Sequence, residues 1–258
     1  MRTMRLPLFI LAFLAASACD APPVEWGDPR TVRAAAGRLV VDTAGDARFV
    51  VDSTPAPEFG APEVCRTSVR AAWSAGRLTA VWWRVRPDSS AGLYMASSPD
   101  SGRTWSAPVV VDTADVSSAG CDRPAPSIAA SGSDLHVAYS MVASEGTGVF
   151  FAHQLATMVH SPVAVIYGDR LVPTAIAVDG DRVAVAYEDP NGKRRQVAVA
   201  LSTTQGHIFE THIIASRDVD IATDPAVALA GHRLAVSWSG QQAADSGATR
   251  IIRDGRIP

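Results

Sequence analysis

Residues 97–106 read SSPDSGRTWS, follow directly on a strand-like segment, and decide the fold prediction. The stretch has the spacing S-x-D-x-G-x-T-W, formed by Ser98, Asp100, Gly102, Thr104 and Trp105. A short carboxylate side chain in a turn accepts hydrogen bonds from unpaired backbone N–H groups, and glycine supplies a backbone conformation with positive φ. The spacing therefore predicts a hairpin turn closed by its own side chains, with the Trp105 ring packed between sheets.

Four similar segments recur along the chain, and they indicate a repeated unit. They read AGRLTAVW, SGSDLHVAY, DGDRVAVAY and AGHRLAVSW, at steps of 57, 48 and 51 residues between Leu78, Leu135, Val183 and Leu234. Each follows an apolar, strand-like stretch of small residues, and each of the first three precedes another strand-like stretch. About fifty residues holding four short strands are typical of one blade of a β-propeller. The sequence thus predicts an all-β fold.

An incomplete copy of the first motif stands at the equivalent place in the third repeat. It reads STTQGHIF and keeps Ser202, Thr204, Gly206 and Phe209. Together the two copies resemble the Asp-box of the sialidase-type (BNR) repeat family. The resemblance implies a β-propeller in which these turns lie on the rim opposite the ligand face. It therefore gives Ser98 and Asp100 a structural role, not a catalytic one.

The number of blades follows from the strands left over at the two ends of the repeats. Residues 49–53 read as an outer strand with no blade of its own, while the fourth repeat ends early at residues 247–258. An N-terminal strand is therefore expected to complete the last blade. Residues 31–43 read as two further strands and would form a reduced fifth blade. We predict four to five blades of four-stranded antiparallel sheets, closed by an N-terminal strand.

The N-terminus has the pattern of a secretory signal peptide at residues 1–18. Two arginines precede the apolar run LPLFILAFLAASA, which leads into Cys19. The end of the run resembles a bacterial lipobox, with Ala16 where leucine is commonest, and this implies lipidation of Cys19. Residues 19–30 would then be a tether and residues 31–258 the propeller domain. Ordinary cleavage and a retained apolar anchor are the alternatives.

This export signal sets the expected location and partners. A lipid anchor would attach the protein to the bilayer of a bacterial envelope, on the periplasmic or cell-surface side. Removal of the signal peptide leaves 21 basic and 26 acidic residues from the 23 and 26 of the whole chain. This negative balance argues against a nucleic acid partner.

The two cysteines of the domain, Cys65 and Cys121, each stand just ahead of a strand-like segment in consecutive repeats. In an oxidising compartment this placement predicts a disulfide, with two free buried thiols as the alternative. Neither cysteine belongs to a spacing typical of zinc sites. The six histidines are scattered along the chain without ligand spacing. No metal and no cofactor are predicted.

Charged residues are concentrated in the loops expected on the ligand face of a propeller. The ligand-binding candidates, together with the neighbouring Asp189, are Arg66, Arg86, Asp122, Arg123, Glu188, Asp189, Arg194 and Arg217. Loops on a rigid scaffold often carry function. Arg66 and Arg123 follow a cysteine at nearly equivalent positions, which makes them the least random pair. The alternative is that these loops are simply polar.

The sequence departs from the sialidases that it resembles. Their arginine-bearing RIP segment precedes the first blade, whereas Arg256 to Pro258 end this chain. Tyr167 and Glu188 match the catalytic Tyr and Glu by residue type alone, and one or two blades are missing. We therefore favour a non-catalytic binding or scaffold module for a glycan or an envelope protein. A sialidase-like exo-glycoside hydrolase and a subunit of a larger envelope assembly are the alternatives.

Overall fold

The computed structural model describes residues 22–33, 37–54, 57–155, 158–217, 219, 221–240 and 249–258. The predicted signal peptide and Cys19 lie outside this part of the chain. The described residues contain β-strands and one 3-10 turn at Arg66–Ser68, and no α-helix. None of them forms a helix of the length and apolarity needed to cross a bilayer.

Within the described residues, twenty strands follow one another. They are β1 (Glu25–Trp26), β2 (Arg30–Arg33), β3 (Arg38–Val41), β4 (Ala47–Val50), β5 (Arg70–Ser74), β6 (Arg77–Val85), β7 (Ala91–Ser98), β8 (Val109–Asp112), β9 (Ser127–Ser131), β10 (Asp134–Ala143), β11 (Gly146–Leu155), β12 (Met158–Val159), β13 (Val163–Gly168), β14 (Thr174–Asp179), β15 (Arg182–Glu188), β16 (Val197–Ser202), β17 (Thr211–Ile214), β18 (Ala222–Ala230), β19 (Arg233–Gly240) and β20 (Thr249–Arg256).

The strands form five antiparallel sheets. Sheet 1 has the order β5-β6-β7-β8, and sheet 3 has the order β14-β15-β16-β17. Sheet 2 contains β9, β10 and β11, with β12 and β13 both paired to β11. Sheet 4 contains β18, β19 and β20, and both β1 and β2 pair with β20. Sheet 5 is the hairpin of β3 and β4. Each predicted repeat therefore corresponds to one sheet.

The core lies between the faces of successive sheets, because each sheet buries apolar side chains on both sides. Trp83 of sheet 1 meets Tyr139 of sheet 2 edge to face, with ring centroids 5.8 Å apart. Phe151 of sheet 2 and Tyr187 of sheet 3 belong to the next cluster, and Trp238 of sheet 4 to the one after it. Sheet 5 packs in turn against sheet 4. The sheets thus stack in the order 1, 2, 3, 4 and 5.

A channel of about 500 Å³ runs along the first strand of every sheet. Residues of β3, β5, β9, β14 and β18 line it, together with the segment 51–54 that leaves sheet 5. Most of the lining side chains are alanine, valine, leucine or isoleucine. Arg38 and Asp52 are the charged side chains among the described lining residues.

The N-terminal segment pairs differently from the prediction. The strand expected at residues 49–53 begins earlier, as β4, and pairs with β3, while β1 and β2 occupy the outer position on sheet 4. The turn between β3 and β4 accounts for this. The Asp42 carboxylate accepts hydrogen bonds from the N–H groups of Ala44, Gly45 and Asp46 at 2.9, 2.9 and 3.0 Å. This closes residues 38–50 as a local hairpin, so β4 has its own partner.

The predicted disulfide is confirmed. Cys65 and Cys121 are bonded, with their Cα atoms 5.3 Å apart. The bond joins the segments that lead into β5 and β9, the first strands of sheets 1 and 2. A disulfide between residues 56 apart restricts the unfolded chain and typically stabilises a fold by about 2 to 4 kcal/mol.

Candidate functional site

The antiparallel order of the strands brings several connections to one end of the sheets, here called the loop face. They include the segments between β4 and β5, β6 and β7, β8 and β9, β10 and β11, β13 and β14, β15 and β16, and β17 and β18. All of the predicted ligand-binding residues belong to these connections or to the strand ends that border them. The structure separates them into buried braces and exposed side chains.

Arg123 is buried and forms an ion pair with Asp115. Its Nη1 lies 2.9 Å from Asp115 Oδ2, and neither side chain exposes more than 1% of its area. The guanidinium also donates to the Gly120 carbonyl and lies 5.2 Å from the Trp83 ring centroid. Asp115 in turn accepts the Ala91 N–H at 2.9 Å. Arg123 therefore braces two loops from within and presents no donor at the surface.

Arg86 is also held within the loops, whereas Arg66 is exposed. The Arg86 guanidinium donates to the carbonyls of Thr113 and Ala91 at 2.6 and 3.0 Å, and thereby ties the β6 to β7 loop to the end of β8. Arg66 lies in the 3-10 turn and is exposed. Asp122 is exposed as well, and its backbone N–H donates to Ala119. Arg66 and Arg123 were predicted as an equivalent pair, and of these two only Arg66 is accessible to solvent.

Glu188 is the centre of a polar cluster between sheets 3 and 4. It is 2% exposed at the end of β15. Its Oε2 accepts from Arg195 Nη2 and Nε at 3.1 and 3.3 Å, and its Oε1 accepts from the Asp224 N–H at 3.1 Å. Both oxygens of this carboxylate are thus fixed by donors from two other elements.

Asp224 extends this cluster toward the solvent. It has a φ of 54° and lies where the pairing of β18 with β19 is irregular. Its carboxylate, 70% exposed, bonds to Arg250, whose side chain is 12% exposed. The Arg250 Nε donates to Ser237 Oγ at 2.9 Å, and the guanidinium lies 5.3 Å from the Phe49 ring. We call Glu188, Arg195, Asp224 and Arg250 the Glu188 cluster.

Of the four residues in this cluster, only Glu188 was among the predicted site residues. Asp224 precedes Pro225, and proline lacks the N–H that a regular strand would use. That dipeptide at the start of an inner strand was the available signal for an irregular, outward-facing carboxylate. Arg195 and Arg250 had no such signal, because their partners are 7 and 26 residues away in sequence.

Among the remaining candidates on the loop face, Arg194 and Arg217 are exposed, whereas Asp189 is half-buried. Asp189 closes its own turn, since its Oδ1 accepts the Asn191 N–H at 2.9 Å. Arg194 and Arg217 border the Glu188 cluster on the β15 to β16 loop and after β17. Tyr167, the other residue matched by type to a sialidase, is 48% exposed on β13.

The predicted turn at residues 97–106, here the first clamp turn, lies at the end opposite the loop face. The Asp100 carboxylate accepts the Thr104 N–H at 2.8 Å and the Thr104 hydroxyl at 2.7 Å. These bonds lower the pKa of Asp100 to about 2. Ser98 Oγ accepts the Gly102 N–H at 2.7 Å, and Trp105 Nε1 donates to the Gly102 carbonyl at 3.0 Å. The polar side chains of the turn are used within the turn.

The second clamp turn, residues 202–209, repeats part of this network. Ser202 Oγ accepts the Gly206 N–H at 3.1 Å, and Thr204 Oγ1 accepts the Ile208 N–H at 3.2 Å. Phe209 takes the place of the tryptophan and packs against Phe151, with ring centroids 5.3 Å apart.

Known proteins resemble this chain in structure but not in sequence. No protein-family model matches the sequence, and no curated protein matches it either. A protein of unknown function from Dyadobacter fermentans is similar at 18% identity and a TM-score of 0.50, over 71% of this chain and 51% of that one. The present chain thus spans about half the length of that protein.

Two glycoside hydrolases are also similar. A Trypanosoma rangeli sialidase, solved with 2,3-difluorosialic acid as a covalent intermediate, shares 12% identity at a TM-score of 0.50 and covers 85% of this chain, which spans 39% of the sialidase. The GH93 α-L-arabinofuranosidase of Fusarium graminearum, solved with arabinobiose, shares 13% at 0.49, over 79% of this chain and 66% of the enzyme. At these identities the likeness concerns the fold alone. The chain has a β-propeller fold of the sialidase-like kind.

Proposed function

We propose that the protein is a non-catalytic binding module, tethered to a bacterial envelope membrane, whose loop face holds a glycan or a protein. The proposed architecture has five blades, of which sheet 5 is a reduced one. The five inner strands along the channel support this number. The pairing of β1 and β2 with β20 supports closure of the last blade by the N-terminal segment.

The observation that carries the binding role is the bonding of Glu188. Whether its nucleophile is a carboxylate or a tyrosine, a glycosidase needs a carboxyl group that exchanges a proton with the reacting groups during catalysis. Both Glu188 oxygens accept hydrogen bonds from Arg195 and from the Asp224 N–H. Both oxygens are thus engaged by groups of this protein, so the carboxylate is poorly placed to reach a substrate, but it fixes the position of its neighbours.

The same bonds suit Asp224 and Arg250 to recognition. The Asp224 carboxylate is exposed, yet Arg250 holds its orientation. A fixed acceptor on a rigid scaffold recognises hydroxyl or amide donors at a low cost in side-chain entropy. The exposed Arg217 lies on the segment that leads into β18 and would add a donor for an anionic group. We therefore place the ligand contact over the Glu188 cluster.

The test measures binding by Asp224→Asn, and the control is Glu210→Gln, which neutralises an exposed carboxylate at the opposite end, just after the second clamp turn. Asparagine tolerates the positive φ of Asp224 and keeps the shape of the side chain, while it removes the charge. We expect wild type to bind at least one member of a panel of immobilised sialylated and neutral oligosaccharides, or at least one protein from a solubilised envelope. Asp224→Asn should weaken that binding more than tenfold, whereas Glu210→Gln should retain it.

A sialidase-like hydrolase is the second candidate, and the contact of Glu188 with the backbone of Asp224 favours it, because it brings two carboxylate residues to the loop face. A fluorogenic sialoside separates the two proposals. Turnover by wild type that disappears in Asp224→Asn would replace the binding proposal with the hydrolase. Failure of wild type to bind any member of either panel would also contradict the binding role.

The tether and the assembly state have separate tests. Replacement of Cys19 by serine should release the protein from the membrane fraction of cells that export it, and unchanged partitioning would contradict a lipid anchor. A mass in solution well above that of one chain, measured without the signal peptide, would favour the alternative of a subunit in a larger assembly.

A further inference from the structure

Four of the six histidines meet at the end of the molecule that carries the clamp turns. His136 on β10 pairs in register with His153 on β11, and the N–H of His160, just after β12, donates to the His153 carbonyl at 2.9 Å. The three therefore form a row across adjacent strands. His207, in the second clamp turn of sheet 3, packs onto this row. Its ring centroid lies 4.7 Å from that of His153 and 6.0 Å from that of His160.

His153 is the middle of the group, and its bonding fixes its protonation. The side chain is 4% exposed, and its Nδ1 lies 3.0 Å from the Gln205 carbonyl oxygen. A carbonyl only accepts, so Nδ1 carries the hydrogen and Nε2 carries a lone pair. That Nε2 is buried and has no hydrogen-bond partner. A buried acceptor without a donor is costly, and metal-binding histidines commonly donate their second ring N–H to a backbone carbonyl.

The distances among the three rings suit a shared ion. A metal about 2.1 Å from an imidazole nitrogen lies about 3.2 Å from the ring centroid, so tetrahedral ligands place their centroids about 5 Å apart. The pairs His153–His160 and His153–His207 are each 4.7 Å apart, and His160–His207 is 6.0 Å. A cavity of about 10 Å³ lies beside His153 and His207, bordered by Ser161 and Gly206.

The rings do not yet converge on one point. Among the described residues, no group of three or more His, Cys, Asp or Glu side chains is placed to hold a metal ion as it stands. Metal binding would therefore require the rings of His207, which is exposed, and His160, which is half-buried, to turn toward the Nε2 of His153.

We propose that His153, His160 and His207 bind a divalent transition metal, with zinc as the ion that the ligand set fits best. Water would occupy the fourth position. Imidazole suits zinc, copper and nickel, whereas magnesium and calcium prefer oxygen ligands. Because His207 belongs to sheet 3 and the other two to sheet 2, the ion would join the second clamp turn to the neighbouring sheet.

The experiment uses the metal-free protein without its signal peptide and titrates it with Zn²⁺ by calorimetry. We expect one ion per chain and a rise in melting temperature that EDTA reverses. His160→Ala and His207→Ala should each weaken binding more than tenfold and abolish the rise. The control is His232→Ala, an exposed histidine in the β18 to β19 turn of sheet 4. It should leave both unchanged.

Substitution of the two outer histidines keeps the test independent of folding, since neither ring is fully buried. Co²⁺ gives a second readout, because a tetrahedral site with imidazole ligands has a strong visible absorption that an octahedral hydrated ion lacks. The proposal is overturned if Zn²⁺ does not bind, if neither substitution weakens its binding, or if His232→Ala weakens it equally.

Discussion

The first and second clamp turns have the same backbone but different side chains. In the first, φ is 63° at Ser101 and 91° at Gly102, and in the second it is 57° at Gln205 and 87° at Gly206. The serine that opens each turn accepts the N–H of the glycine four residues later. Only the first turn adds a carboxylate and an indole that donates back to the turn.

This comparison separates what forms the turn from what stabilises it. Both turns share the serine, the glycine and a side-chain oxygen, from Asp100 or Thr204, that accepts the N–H four residues later, so the backbone geometry goes with these three features. A Cβ at Gly206 would lie 2.2 Å from the Phe151 ring, and glycine is therefore required there for space as well as for φ. The carboxylate and the ring at the end of the turn differ between the two turns. We therefore expect these two groups to make the first turn more stabilising than the second.

The largest effect is expected from Trp105→Ala. The indole packs on Phe59, with ring centroids 5.2 Å apart, and its N–H bonds to the Gly102 carbonyl. Loss of a packed aromatic ring should lower the free energy of unfolding by about 3 kcal/mol. Thermal and denaturant unfolding measure the change. A loss below that of Phe209→Ala would contradict the ranking of the two turns.

Phe209→Ala should cost less, about 2 kcal/mol, because the ring is smaller and makes no hydrogen bond. Its contact with Phe151 is edge to face, like that of Trp105 with Phe59, so the contact geometry does not account for the difference. The same unfolding measurements apply, and Ile208→Ala, at an exposed position in the same turn, is the control. Equal losses from both substitutions would show that the ring is not what secures the turn.

Asp100→Asn tests the carboxylate through its pH dependence. Hydrogen bonds from Thr104 lower the folded pKa to about 2 from 3.8, so the charge stabilises the fold above pH 4, and this contribution fades as the pH falls toward 2. We expect a lower melting temperature than wild type at pH 7 and a smaller difference at pH 3. A difference independent of pH would contradict the role of the charge. Loss of ligand binding by the folded variant would move the functional site to this end.

The smallest effect is expected from Thr204→Asp, which makes the second turn more like the first. The Thr204 hydroxyl accepts the Ile208 N–H at 3.2 Å, and a carboxylate should accept it more strongly. Position 208 lacks the hydroxyl that Thr104 provides, so we expect a gain of only about 0.5 kcal/mol. Thr204→Ala is the control and should lose stability. A destabilised Thr204→Asp would show that the two turns differ in more than side chains.

The repeated part of the fold could be predicted because every repeat carries its own signals. A strand, a glycine turn and an aromatic residue recur at each sheet, and the cysteines mark equivalent positions in two of them. Residues 38–50 broke the analogy, since they resemble the outer strand of a repeat yet hold a turn of their own around Asp42. Strand pairing there depends on the Asp42 carboxylate, a side chain that is not part of the pattern shared by the repeats.

The candidate site was predictable only in part. The positions of the loops in the sequence predicted that charged residues lie at one end of the sheets, and they do. These positions could not distinguish the buried Arg123 from the exposed Arg66. The difference depends on Asp115 and Trp83, which surround one guanidinium and not the other. The histidines show the same limit: His153 and His207 are 54 positions apart in the sequence, and only the packing of two sheets makes them neighbours.

The pairing of β1 and β2 with β20 has a consequence for how the chain folds. Arg253 Nε donates to the Gly27 carbonyl across 226 residues of sequence, whereas the other sheets join strands that follow one another. Closing so long a loop costs entropy before any contact repays it, so such pairings form slowly. Sheets 1 to 3 can form from their own consecutive segments, whereas sheet 4 needs both ends of the described chain. Completion of sheet 4 is therefore expected to be the last and slowest step of folding.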